Sequence, residues 1–91
     1  VTISGLPATE GSTLTADASG IIDPDGFNPA SVALTWQVQL SPGVWTAVGT
    51  GPSFTPTNAE VGFSLQVVAT FVDNFGVLES VTSVRTALVL N

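Results

Sequence analysis

From Val32 to Leu40 every even position is apolar, with Ala33, Thr35, Gln37 and Gln39 between them. A period of two sends successive side chains to opposite faces, so this stretch predicts a strand with one face in a core and one in water. Trp36 stands at its centre, and a buried Trp brings more apolar area than any other side chain here. A second run, Phe63 to Phe71, alternates in the same way. Its odd positions Phe63, Leu65, Val67, Ala69 and Phe71 face inward, and Gln66 and Thr70 face outward. Shorter runs complete the set: Val1–Ser4, Ser12–Ala18 with Leu14, Ala16 and Ala18 inward, Val44–Val48, Ser53–Thr55, and Val77–Leu90. In the last of these the alternation lapses at Ser80-Val81-Thr82-Ser83, which predicts a bulge or a change of partner.

Breakers separate the runs. Gly5-Leu6-Pro7 bends the chain after the first strand, because Pro cannot donate to a ladder. The longest loop is Ile21–Pro29, where two prolines, a Gly and an Asn forbid regular structure. Ser41-Pro42-Gly43 predicts a tight hairpin of type II, and Asp73-Asn74-Phe75-Gly76 a second turn. Thr57 precedes Glu60 by three, the capping-box spacing, and Gly62 follows; one helical turn is expected there. No stretch has a helical period.

About seven short strands with evenly spaced turns predict an all-β, immunoglobulin-like Greek-key β-sandwich. Trp36 takes the place of the buried Trp on the third strand of such domains. Ala16 and Val67 stand where antibodies place their inter-sheet disulfide, and the tyrosine of the tyrosine corner is missing. There is no disulfide, since the chain has no Cys.

Composition then removes whole classes of function. The 91 residues fit one domain, spanning 1–91. A hydrophobic content of 44% argues against intrinsic disorder. Net charge is −6 and Arg85 is the one basic residue, so nucleic acid and anionic membrane surfaces are poor partners. No apolar run approaches the roughly 20 residues of a membrane-spanning helix. Without Cys or His, thiol nucleophiles and the commonest general base and metal ligand are absent. Seven carboxylates remain, but glycoside hydrolysis needs two of them across a cleft. The domain is therefore read as non-catalytic. Its ends fall inside strand-like sequence, which reads as a module excised from a longer, multidomain chain.

Six segments in order carry a resemblance: Gly11-Ser12-Thr13-Leu14-Thr15-Ala16, Asp23-Pro24-Asp25-Gly26, Thr35-Trp36-Gln37, Trp45-Thr46-Ala47-Val48, Ala59-Glu60-Val61-Gly62 and Phe71-Val72-Asp73-Asn74-Phe75-Gly76. As an ordered set they resemble the bacterial Ig-like and cadherin-like tandem repeats of large secreted or cell-surface proteins. The resemblance implies an extracellular spacer or adhesive module whose partners are neighbouring Ig-like domains of the same chain. Two alternatives stay open. One is a carbohydrate- or protein-binding module. The other is an accessory domain of a secreted enzyme, for example a calcium- or haem-dependent peroxidase-like protein.

Two sets of residues invite chemistry. In an Ig-like topology the loops holding Asp23, Asp25 and Asp73-Asn74 meet at one pole, so three carboxylates and an amide oxygen would converge there. That set is a candidate calcium site; calcium takes six to eight oxygens, and carbonyls, water or a linker acid would complete it. The competing reading is turn chemistry, with the aspartates capping loop N–H groups. Trp45, Phe27 and Phe75 lie near turns and could stack on sugar rings, or could pack over the ends of the sandwich. Trp45 lies at the other end of the central strand from the two Phe residues, so no common platform is expected.

Charge also sets solution behaviour. Near the isoelectric point of about 4.1 the net charge vanishes, and self-association should rise. Light scattering from neutral pH down to that value is the check, with increasing scatter expected.

Overall fold

The computed structural model describes residues 1–21, 25–28 and 31–91. Among these residues seven strands are present: β1 (Thr2–Ser4), β2 (Leu14–Asp17), β3 (Ala33–Ser41), β4 (Val44–Thr50), β5 (Ser53–Phe54), β6 (Leu65–Val72) and β7 (Leu78–Thr82). They form an antiparallel three-stranded sheet, β1-β2-β5, and an antiparallel four-stranded sheet, β4-β3-β6-β7. The chain passes between sheets after β2, β4 and β5, and the non-consecutive pairs β2–β5 and β3–β6 are the Greek-key links. The predicted all-β sandwich is the fold.

Its core lies where the alternation placed it. Leu14, Trp36, Val38, Leu65 and Val67 are almost completely buried, joined by Ala8, Ala16 and Val89. Trp36 stacks on Phe54 at 5.8 Å between ring centroids, and its Nε1–H donates to Gly51 O at 2.9 Å. The polar end of the indole is therefore satisfied inside the core, where an unpaired donor would cost about 1–3 kcal/mol. On the outward side Thr35, Gln37, Gln66 and Thr70 are half-buried.

Some positions depart from the pattern. Leu40, expected inside, is 48% exposed. The β3–β4 register shifts between Gln39 and Ser41, leaving Leu40 out of the paired ladder at the hairpin end. Phe63 is half-buried and precedes β6, and Val32 and Leu34 are half-buried rather than buried. Ala18 lies just past the end of β2 and is half-buried too.

Local signals were realised at the turns. Pro42-Gly43 closes the β3–β4 hairpin, with Gly43 at φ 76° as a type II turn requires. Asn58–Glu60 form one 3₁₀ turn with a full capping box: Ala59 N donates to Thr57 Oγ1 at 3.3 Å and Thr57 N to Glu60 Oε1 at 2.8 Å. Asp17 ends β2 by accepting from Ser19 N at 2.8 Å, and hydrogen bonding from Ser19 holds its carboxyl below the usual carboxylate range.

The final run is not one strand. β7 ends at Thr82, inside the Ser80–Ser83 segment that predicts an irregularity, and the irregular stretch then runs on from Ser83 to Thr86. Ser83 N donates to Val67 O and Val67 N donates to Ser83 Oγ; Thr86 N donates to Leu65 O and Leu65 N to Thr86 Oγ1. Two side-chain hydroxyls thus take the bonds that strand carbonyls would accept. Four residues, Ser83 to Thr86, span three on β6, which is a bulge by one residue. The chain then changes partner, with Val89 bridging Val61 and Leu90 bridging Thr9, both in parallel.

Trp36→Ala should destabilise the domain by about 3–5 kcal/mol, a large part of the stability of a chain this size. Urea unfolding followed by circular dichroism measures it.

Candidate functional site

The β2–β3 and β6–β7 loops do meet. Phe27 and Asp73 form an antiparallel bridge, and Asn74 N donates to Gly26 O at 2.9 Å. Phe27 packs on Phe71 at 4.3 Å, closing that end of the core. Gly26 has φ 76°, and a Cβ there would lie 2.7 Å from Asn74 Nδ2. The positive φ favours glycine there, and a larger residue would also have to displace the Asn74 amide.

The aspartates do different things at this pole. Asp73 is buried; its Oδ1 accepts from Phe75 N and Val77 N, both at 2.9 Å, and so shapes its own turn. Its Oδ2 is buried with no hydrogen-bond partner among the described residues. Asp25 is exposed in the facing loop, while Asp23 lies outside the described residues. Among the described residues no three His, Cys, Asp or Glu side chains gather as a metal-binding group. The described residues therefore bring to this pole the buried Asp73 Oδ2 and the exposed Asp25, well short of the six ligands calcium takes.

The aromatic residues separate. Phe27 plugs the pole as ordinary packing, whereas Phe75 stands 75% exposed and plugs nothing. Trp45 lies elsewhere. It pairs with Gln39 across β3 and β4, and paired residues share a face, so it lies on the outer face of the four-stranded sheet at the hairpin end. It is half-buried and is not among the residues packed on the core.

Around Trp45 the outer face gathers polar groups. Gln66 Nε2 donates to Gln37 Oε1 at 2.8 Å, and Arg85 Nη1 donates to Gln39 Oε1 at 3.3 Å. The glutamines are visible in the sequence as outward positions of the two long alternating runs. Arg85 is not, because only the bulge after β7 turns it toward Gln39. On the other side of the bulge a shallow groove of about 220 Å³ runs between Val1, Thr2, Ile3 and Leu6 and the segment Val84–Thr86.

No helix among the described residues is long and apolar enough to cross a membrane. Comparison with protein-family profiles, curated proteins and solved structures gives no match to this chain.

The two bonds on Asp73 Oδ1 set an expectation. Asp73→Ala leaves the Phe75 and Val77 N–H groups without their acceptor and should cost roughly 2–4 kcal/mol. Asp73→Asn keeps the acceptor and should cost less than half as much. Thermal unfolding of both variants measures the difference.

Proposed function

We propose that this chain is a non-catalytic, immunoglobulin-like repeat that acts as a spacer or adhesive module in a large extracellular or surface-exposed bacterial protein. The observation that carries the reading is the placement of its two ends. Thr2 pairs with Asp17 at the pole where the Gly26–Phe27 and Asp73–Asn74 segments meet. Leu90 pairs with Thr9 at the opposite pole, and the molecule is 43 Å long against 24 and 17 Å across. A chain that enters one pole of an elongated sandwich and leaves by the other stacks its modules in line. Six net negative charges favour keeping such modules apart.

Calcium enters this reading as an ion between modules. The uncommitted Asp73 Oδ2 favours it, with Asp25, Asp23 and oxygens from the preceding domain completing the set. Binding would be weak in a single module, with a dissociation constant on the order of 10⁻⁴–10⁻³ M.

A head-to-tail tandem of two copies tests both statements. Small-angle scattering should give a particle about twice the 43 Å length of one module; a compact, side-by-side particle removes the spacer reading. Millimolar calcium should raise the melting temperature of the tandem but not of its Asp73→Asn variant. A flat response leaves the aspartates as turn residues.

A further inference from the structure

The outer face of the four-stranded sheet differs from the rest of the molecule in charge. Its outward positions, fixed by pairing, are Ala33, Thr35, Gln37, Gln39 and Ser41 on β3, with Trp45, Ala47 and Thr50 opposite on β4. On the other side stand Gln66, Val68, Thr70 and Val72 of β6, paired with Leu78, Ser80 and Thr82 of β7. None is acidic, although the chain has seven carboxylates. Glu79, the acid on β7, pairs with the buried Phe71 and so takes the inward side of its strand. The chain's one cation, Arg85, reaches this face through its bond to Gln39.

We propose that Trp45, Gln39 and Arg85, flanked by the Gln37–Gln66 amide pair, form a binding site for an acidic saccharide. The ligand class is a sugar ring bearing a carboxylate, of the uronic acid type.

Each part of the ligand has a matching group. The indole of Trp45 offers a rigid, partly exposed π-face to the apolar C–H face of a pyranose, a contact that costs little side-chain entropy. Gln39 and the Gln37–Gln66 pair carry amide donors and acceptors in a fixed row beside it, suited to ring hydroxyls. The Arg85 fork has five N–H donors, of which Gln39 engages one, and a planar carboxylate is the acceptor that fits such a fork two bonds at a time. The net charge of −6 does not prevent this. Asp73, just past the far end of β6, and Asp25 in the loop facing it lie at the other end of the sheet, beyond the ~8 Å screening length at physiological ionic strength.

The bulge makes the site. In a regular continuation of β7, Arg85 would follow the strand's alternation; the extra residue between Ser83 and Thr86 re-aims it across β6 toward Gln39. Bulges recur next to binding sites for this reason. The site does not rest on the spacer reading, since it is built on a sheet face and uses none of the residues of the Gly26–Asp73 pole.

Fluorescence reports it directly. Trp36 is fully buried with its N–H bonded, so a ligand-dependent change comes from Trp45. Trigalacturonate titrated into the protein should change the emission saturably, with half-saturation on the order of millimolar. Its methyl ester, the same rings without charge, should bind about tenfold more weakly. Arg85→Gln should weaken the acid about tenfold and leave the ester unchanged, and Arg85→Lys should restore only part of the loss. Trp45→Phe, followed by calorimetry, should weaken both ligands, with near-ultraviolet circular dichroism of Trp36 showing that the variants fold. No saturable change up to about 10 mM, equal binding of acid and ester, or indifference to Arg85→Gln each overturns the assignment.

Discussion

Everything in this sandwich is arranged around sealing one indole. Trp36 must lose all contact with water and still satisfy its N–H, and the two demands pull on different parts of the chain. The first is met by Leu14 and Ala16 from the small sheet and by Phe54 stacked on the ring. The second is met by Gly51 O, in the turn between β4 and β5. That turn takes the chain from one sheet to the other, so the hydrogen bond ties the crossing to the core. β5 is only two residues long, yet its Phe54 closes the cluster. A fold with 9% charged residues and no cysteine relies on such packing in place of cross-links.

The long strands were legible because alternation is a direct print of burial. Trp36, Val38, Leu65 and Val67 read as core and are core. The capping box at Thr57–Glu60 and the Pro42-Gly43 hairpin were equally plain, since each rests on local chemistry that tertiary structure had no cause to override. Leu40 was misplaced because pattern carries no information about a register shift. The same blindness hid how far the irregularity of the final run extends beyond Ser83. Ser83 and Thr86 look like ordinary strand residues, and nothing in the sequence says that their hydroxyls will stand in for backbone carbonyls.

The two candidate sites show how different kinds of signal survive. Topology alone brought the loop carrying Gly26 against the one carrying Asp73, and the bridge between Phe27 and Asp73 is its consequence. What the aspartates do with that closeness is decided by bond geometry, and Asp73 spends one oxygen on its own turn. The Trp45 face was hidden for the opposite reason. Its residues come from four separated segments, and only a bulge brings the guanidinium to the amide. The sequence separates Trp45 from Phe27 and Phe75, as the structure does, but does not name the neighbours that share its sheet face.

The bulge also bears on how such modules coexist at close quarters. An outermost strand leaves N–H and C=O groups unpaired, and a chain of identical sandwiches holds many such edges at high local concentration. At the β7 edge of the four-stranded sheet the regular ladder is only five residues long. Past Thr82 the backbone is drawn inward by Ser83 and Thr86 and then handed to the segment around Thr9. A second sandwich approaching this side would find no long ladder to continue. An irregular strand end therefore limits sheet growth from one molecule into the next along this edge, in a protein with few charged side chains to prevent it.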